Sequence, residues 1–409
     1  MSKPLCAERR QGLRLQFAAA ACALALCAGN GGAAALDAQE AVFAPGVRLG
    51  TIPALHTLPG VDNMFFDIGF TGQHGYRDHR GEKGGLVYTC AAGFLDIDHV
   101  RQSADWMAYL HARLGAAWSR KSETTRLTIP SADRGMQLRI VLQHSTEAQG
   151  TPPPWPALDA LARRLAFLMM TWHEVLTWFD YRSTFLAPEK ISAFTYEDTL
   201  SHVVGIEIGA RAVARTDVAY AVAVDQELKA LPERYGAQPV AVTRQAFTRV
   251  RNRWWRGNSG WPNNDFITGR DVAMGLDSPT IKPWSVPGVA ACASRPPRVF
   301  SSAELVFAAP AANPADQAAE AAAPASAASA PSNADEPDPA PFRAEVRILS
   351  TAPELREVLS QLFPEQAAGT AFRLNPQQDL LKLMQEIERR VKAELGEDAT
   401  SPERLLNRP

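Results

Sequence analysis

His173 and Glu174 are the residues of this chain whose types and surroundings most suggest chemistry. They lie within an apolar run, 169–178, with methionine, tryptophan, valine and leucine around them. Burying an imidazole and a carboxylate there is costly unless each finds a partner or a metal ion. A zinc peptidase would add a histidine one helical turn further on, and position 177 is a threonine. The sequence therefore excludes that class of zinc peptidase and leaves a polar site of another kind.

Two other segments bring the same residue types at helical spacing. Asp96 and His99 are three residues apart, and Asp198 and His202 are four apart, so each pair shares one face of a helix. Imidazole and carboxylate together suit zinc, iron or manganese. Three helices could therefore each contribute a histidine and an acid to one place.

From these patterns we predict a divalent-metal site (zinc, iron or manganese) between the three helices. Its candidate ligands are His99, His173, Glu197, Asp198 and Asp96. Glu174 is predicted to be a further ligand or a catalytic general base that acts on metal-bound water. Two alternatives remain open. The acids could cap their helices while the histidines and Glu174 form a structural polar network, or the cluster could perform metal-free acid–base chemistry.

The elements that must position these residues are mostly helical. Apolar periodicity predicts helices over 94–114, 157–180, 196–214, 217–234 and 243–256, and a last helix that opens at Asn375-Pro376 and ends at Gly396. Strand patterns cover 86–90, 124–129, 136–143, 298–307 and 342–349, and the turn sequence PSADRG favours a hairpin between the second and the third. The predicted fold class is α+β, a helix-dominated single domain with a small antiparallel sheet.

Two glycine-containing segments bear on how these elements pack. Gly205 and Gly209 continue the helix face of Asp198, so another helix could approach closely there. The loop 72–85, GQHGYRDHRGEKGG, contains His74, which we expect to be solvated. The alternative is that this loop closes over a pocket.

Composition changes along the chain predict its organisation. Residues 309–341 are mainly Ala, Pro, Ser and Asp, so they cannot bury enough apolar surface and are predicted to be a disordered insertion. The main α+β domain is predicted over 36–308. The strand and helix of 342–397 are predicted to pack on it, and 398–409 is predicted to be a tail.

The N-terminal 35 residues are typical of a signal peptide. Arg9, Arg10 and Arg14 precede an apolar run over 15–28, and small residues at 33–35 offer a cleavage site. We therefore predict an exported, periplasmic protein, with a lipid anchor at Cys27 as the alternative. No later segment is apolar enough to predict a transmembrane helix in the mature chain. The formal net charge of −2 gives no reason to expect nucleic acid as a partner.

Two further features concern cysteine and tryptophan. Cys90 and Cys292 are the cysteines that follow the predicted leader, and we expect separate buried thiols, with a disulfide as the alternative. The run RVRNRWWR at 249–256 could contact an envelope lipid or glycan through Trp254 and Trp255. We favour the interpretation in which these tryptophans are buried.

Four blocks resemble a known family of bacterial proteins. The blocks are LVYTCAAGFLDIDHVRQSADW (86–106), TWHEVLTWF (171–179), EKISAFTYEDTLSHVVG (189–205) and GLDSPTIKPWSVPG (275–288). Their combination resembles domain of unknown function 4056 over roughly 72–308. The residues that match its pattern by type are Cys90, Asp96, His99, Arg101, Asp105, Trp106, His173, Glu174, Trp178, Glu197 and Asp198. His202 stands where that pattern has asparagine, so the resemblance favours His99 and His173 as the imidazoles of a shared site. It implies no reaction.

Two functional hypotheses follow from the sequence. The first is an exported cell-envelope hydrolase that depends on a metal held by the residues named above. The second is a non-catalytic envelope protein that binds a glycan, a lipid or another protein, in which the same residues only join three helices.

Overall fold

The computed structural model describes residues 43–48, 64–120, 122–131, 133, 135–145, 151–182, 189–256, 267–307 and 341–407. The predicted signal peptide, and the predicted insertion up to residue 340, lie outside these ranges. Within them the chain combines helices with small antiparallel sheets, which confirms the predicted α+β class.

Nine α-helices lie in the described residues. They are α1 (Ile97–Trp118), α2 (Trp155–Trp178), α3 (Asp198–Val213), α4 (Tyr220–Lys229), α5 (Leu231–Tyr235), α6 (Val240–Arg249), α7 (Arg356–Leu362), α8 (Asp379–Leu395) and α9 (Pro402–Leu406). The strands are β1 (Leu86–Thr89), β2 (Gly93–Asp96), β3 (Thr124–Pro130), β4 (Met136–His144), β5 (Thr280–Ile281), β6 (Phe300–Ser301), β7 (Phe342–Ser350) and β8 (Phe372–Leu374).

The largest sheet is four-stranded, with the order β3-β4-β7-β8 and antiparallel neighbours throughout. Strands β3 and β4 form the predicted hairpin, and alternate residues of both are buried, as the period of two requires. Strand β7 pairs with β4 along its whole length, from Phe342 opposite His144 to Ser350 opposite Met136. The strand that follows the predicted insertion is thus hydrogen-bonded into the middle of this sheet.

Helices α1, α2 and α3 pack against one another, and the closest approach is between α1 and α3. A β-carbon on Gly205 would lie 2.4 Å from the carbonyl oxygen of Val100, and one on Gly209 would lie 2.5 Å from that of Ala104. Only glycine fits at such distances, which confirms that these two positions let another helix approach closely. The contact brings the first turn of α3 beside the first turn of α1.

Four predicted elements differ from the structure. The helix predicted over 217–234 is two helices, α4 and α5, because Pro232, which lacks a backbone N–H, lies in the first turn of the second. Residues 94–96, predicted near a helix start, belong to β2, because a tight turn returns the chain antiparallel to β1 and Asp96 then caps α1. The strand predicted over 298–307 is only two residues long, because the chain turns at Ser302 and Leu305 donates back to the Ser302 carbonyl. The helix predicted over 243–256 ends at Arg249, and Trp254 and Trp255 lie buried beyond it. Their burial excludes the interpretation in which they reach lipid or glycan.

Cys90 and Cys292 form a disulfide, with their α-carbons 5.2 Å apart. The expectation of two separate thiols is therefore wrong. The bond joins the residue after β1 to the turn at 290–292, and Cys90 also accepts a hydrogen bond from the side chain of Gln238. It thus links two segments separated by 202 positions of sequence.

The C-terminal residues are structured further than the tail that we predicted for 398–409. Helix α9 lies there, and its Leu405 is fully buried against the tryptophan-rich cluster around Trp254 and Trp284. The backbone N–H of Arg270 donates to the carbonyl of Ala399. None of the described helices combines the length and hydropathy that a membrane span needs.

Candidate metal centre

His99, His173 and Glu174 converge between α1 and α2. His99 is in the first turn of α1, whereas His173 and Glu174 are near the end of α2. All three are buried, and each offers one ligand atom that lies within 4.8 Å of the other two. The packing of two helices has thus placed two imidazoles and one carboxylate close enough to share an ion.

Each of these two histidines is oriented by a carboxylate. Nδ1 of His99 lies 3.0 Å from Oδ1 of Asp198, and Nδ1 of His173 lies 3.0 Å from Oδ1 of Asp133. An Nδ1–H that donates to a carboxylate fixes the tautomer and leaves Nε2 with its lone pair. This is the arrangement that metal-binding histidines usually have.

One of the two carboxylate oxygens of Glu174 has a hydrogen-bond partner among the described residues. Its Oε2 accepts the backbone N–H of Phe194 at 2.9 Å, whereas Oε1 has no hydrogen-bond partner among the described residues. Burial, and then the charge of Asp198, raise the pKa of the Glu174 carboxyl to about 8. A divalent ion at Oε1 would supply the missing partner and favour the carboxylate.

His202, one turn along α3 from Asp198, also lies beside the group of His99, His173 and Glu174. Its Nε2 lies 3.6 Å from Oε1 of Glu174, and its ring centroid is 5.4 Å from that of His99. The residue is fully buried, and neither ring nitrogen has a hydrogen-bond partner in the part of the chain that the structure describes. Burial, and then the charge of His99, lower the pKa of His202 well below its ordinary value, so this imidazole is neutral.

His99 and His173 bind protons more tightly than ordinary histidines. Burial opposes protonation of both rings, but the facing acids outweigh it. Asp198 raises the pKa of His99 well above its usual range, and Asp133 with Glu174 raises the pKa of His173 to about 9. A metal ion must therefore displace these protons, and its binding releases them.

The other predicted ligands have different positions. Asp96 caps α1, where its Oδ1 accepts the N–H of Asp98 at 2.9 Å. Glu197 occupies the N-cap position of α3, and burial together with Asp198 raises its pKa well above the usual range. Asp198 orients His99 through Nδ1. The structure thus places His99, His173 and Glu174 in one group, Asp198 behind His99, and Asp96 and Glu197 outside the group.

Two residues near the centre were not found from the sequence. Asp133 lies in the hairpin turn after β3, a segment interpreted there only as a turn. Arg270 is buried, donates from Nη1 to the carbonyl of Ala193, and has no partner for Nε among the described residues. Burial lowers the pKa of Arg270 to about 10, although Asp198, Glu197 and Glu174 favour its charged form. Neither residue has a local sequence pattern that links it to the candidate centre.

Comparison with known proteins places the chain in a family. The family model described as a protein of unknown function (DUF4056) matches residues 51–283. This range contains every residue named in the candidate centre. Comparison with curated proteins and with solved structures gives no significant match. The chain belongs to the DUF4056 family.

Proposed function

We propose that this protein is a metal-dependent hydrolase of the cell envelope, whose metal is held by His99, His173 and Glu174. The observation that supports it most strongly is the group of three ligand atoms within 4.8 Å of one another. The carboxylate behind each histidine supports the same proposal, because such partners orient imidazoles for a metal.

The residue types favour a transition metal over magnesium or calcium. Two imidazoles and one carboxylate are the protein ligands of several hydrolytic zinc sites and of non-haem iron(II) sites. A bound divalent ion would act as a Lewis acid and lower the pKa of a coordinated water. The role that we assign to Glu174 is that of a ligand, because Oε1 has no other partner among the described residues.

A surface depression of about 360 Å³ lies near the second histidine and is lined by Ser131, Asp133, Gln137 and Thr351, among others. Asp133 lines this depression and also binds Nδ1 of His173, so the depression lies on the Nδ1 side of that imidazole, opposite the Nε2 that would bind the metal. A molecule in this depression would contact Asp133 and not the metal ion.

Export to the periplasm is part of the proposal. It is supported by the N-terminal segment, with its arginines and apolar run, and by the disulfide between Cys90 and Cys292. Structural disulfides persist in oxidising compartments and are rare in the bacterial cytosol.

A panel of peptide, ester, phosphate and glycoside substrates tests the hydrolase proposal. We expect one class to be cleaved by the metal-loaded protein, and the activity to be abolished by a chelator and by His173→Ala. His111→Asn is the matched control. His111 is also a histidine of α1 whose Nδ1 faces a carboxylate, that of Asp159, but it stacks on Trp155 away from the centre. Activity that survives in His173→Ala would contradict the proposal.

A second candidate is a structural metal centre in a non-catalytic envelope protein. The observation that favours it is the low exposure of the ligands, 4% for His99 and 6% for His173. Closed, buried centres are typical of structural zinc sites. This candidate predicts that metal raises the melting temperature while the whole substrate panel stays uncleaved.

A further inference from the structure

We propose that His202 is a fourth protein ligand of the same metal, so that the centre consists of three imidazoles and one carboxylate. The inference rests on the proposed metal centre and concerns how many positions the metal keeps for water and substrate. It gives a role to a residue that the family resemblance had made the less favoured imidazole.

Burial of the His202 imidazole without partners costs free energy. A neutral imidazole has one donor and one acceptor. Neither ring nitrogen of His202 has a hydrogen-bond partner in the described chain, and the side chain is fully buried. A metal ion bound to Nε2 of His202 would satisfy that nitrogen without breaking any existing hydrogen bond. Oε1 of Glu174 faces Nε2 of His202 and likewise has no hydrogen-bond partner among the described residues.

The distances around His202 also fit those between ligands of one metal ion. Two atoms bound to one tetrahedral zinc ion lie roughly 3.4 Å apart, and the ring centroids of two imidazoles bound to it lie roughly 5 Å apart. Nε2 of His202 lies 3.6 Å from Oε1 of Glu174, and the His202 ring centroid lies 5.4 Å from that of His99. Both separations are close to those of ligands on a common ion.

The fourth ligand has a consequence for the metal. Four protein ligands complete the shell of a tetrahedral zinc ion, whereas iron or manganese with six positions would keep two for water and substrate. A catalytic centre of this composition therefore favours iron or manganese. Zinc in the same centre would be structural unless its coordination expands.

Cobalt(II) binding to the full chain, followed by absorption spectroscopy, tests the proposal in the wild type, in His202→Ala and in the His111→Asn control. Loss of an outer-shell partner costs about 10–100-fold in metal affinity, so loss of a true ligand should cost about 100-fold or more. We expect that loss in His202→Ala, with a changed visible spectrum and unchanged behaviour in the control. A weaker loss with an unchanged spectrum would overturn the proposal and leave the three-ligand centre intact.

Zinc-edge X-ray absorption of the wild type needs no variant, and so covers the case in which His202→Ala does not fold. Three imidazoles per zinc ion are expected. Two imidazoles per zinc ion would overturn the role of His202 alone. A wild-type protein that binds neither cobalt nor zinc would overturn the proposed metal centre together with this inference.

Discussion

Helix α1 has a buried polar cluster on each of two sides, and the two clusters differ in whether their atoms are satisfied. On one side are His99, His173, Glu174 and His202, several of whose polar atoms have no hydrogen-bond partner among the described residues. On the other side is a charged cluster of Arg48, His74, Glu82, Arg101, Asp105 and Tyr220, which we call the Asp105 cluster.

The Asp105 cluster is almost completely paired. Asp105 accepts hydrogen bonds from Arg48 at 2.7 Å, from Tyr220 at 2.8 Å and from His74 at 2.9 Å. Glu82 accepts two hydrogen bonds from Arg48, each of 2.9 Å. Among the described residues of this cluster, one side-chain atom, Nη1 of Arg48, has no partner. These contacts fasten the glycine-containing loop 72–85 and the segment 43–48 to α1.

Structural and functional burial of polar groups can be separated by whether donors and acceptors are matched. A buried network in which donors match acceptors is complete as it stands, so it needs no further component. In the candidate metal centre, a carboxylate oxygen and an imidazole face each other without a hydrogen bond. That deficit is what a cation would remove, and it is the reason for assigning a ligand to one cluster and not to the other.

The largest effect is expected from breaking the Asp105 cluster. Asp105→Ala leaves Arg48 and His74 buried without their main counter-charge, so it should lower the free energy of unfolding by about 3–5 kcal/mol. Urea denaturation measures the change. Asp217→Ala is the control, since its pair with Arg215 is at the surface, and its stability should stay unchanged. A small effect of Asp105→Ala on the free energy of unfolding would show that the Asp105 cluster does not stabilise the fold.

Metal removal should destabilise the protein through the other cluster. At free metal about 100-fold above Kd, binding contributes about 2.7 kcal/mol to stability, which a chelator abolishes. The melting temperature of the wild type should therefore fall on chelation, whereas that of His173→Ala should not respond. Equal responses of the two proteins would show that the stabilising metal binds elsewhere.

A third prediction concerns the carboxylate behind His99. Asp198→Asn keeps the shape but removes the charge that orients and polarises the imidazole, so metal affinity should fall about 10–100-fold. Competition with a chromophoric chelator measures it. Asp159→Asn makes the same change behind His111 and should leave metal affinity as it was. A fall in both variants would mean that the effect is not specific to the centre.

The smallest expected effect is the change in folding stability with pH that comes from His74. Burial opposes protonation of His74, but Asp105 and then Glu82 outweigh it and raise the pKa of His74 above its ordinary value. The stability from protonated His74 is fully present below about pH 6.5 and is lost as the pH rises through the raised pKa. The charged or titratable groups that face this ring are Arg48, Glu82, Arg101, Asp105 and Tyr220.

Unfolding free energies of the chelator-treated, metal-free protein between pH 6 and 9 test whether its stability falls as the pH rises. The wild type should lose stability as the pH rises, and His74→Gln should lose less over the same interval. Burial opposes ionisation of Asp105, but His74 and Arg48 hold its pKa below the usual range. Its contribution is therefore lost only at low pH, as the pH falls below about 4. A wild-type stability that increases from pH 6 to 9 would contradict the assignment.

Periodicity predicted the helices that form the centre, because the apolar stripes of α1, α2 and α3 are long and regular. The sequence also singled out His173 and Glu174, which stand among apolar residues where their burial is costly, whereas His99 stands beside Asp98 and was singled out by its spacing from Asp96. The close approach of α3 to α1 followed from the spacing of two glycines.

What the sequence could not predict depends on contacts between distant segments. Asp133 meets His173 only because the β3–β4 turn folds over the end of α2, and nothing around residue 133 indicates this. We expected His74 to be solvated, and it is buried, because Asp105 and Glu82 from two other segments pair with it. Pairing of Cys90 with Cys292 likewise depends on a tertiary contact across 202 positions.

We infer that the unsatisfied buried atoms around His202 and Glu174 mark a metal centre, whereas the satisfied Asp105 cluster is structural. The metal content of the purified protein tests this, measured by elemental mass spectrometry in the wild type, His173→Ala and His74→Gln. We expect near-stoichiometric zinc, iron or manganese in the wild type and in His74→Gln, and none in His173→Ala. A wild type without metal after reconstitution, or a His173→Ala protein that retains metal, would show that the cluster is not a metal centre.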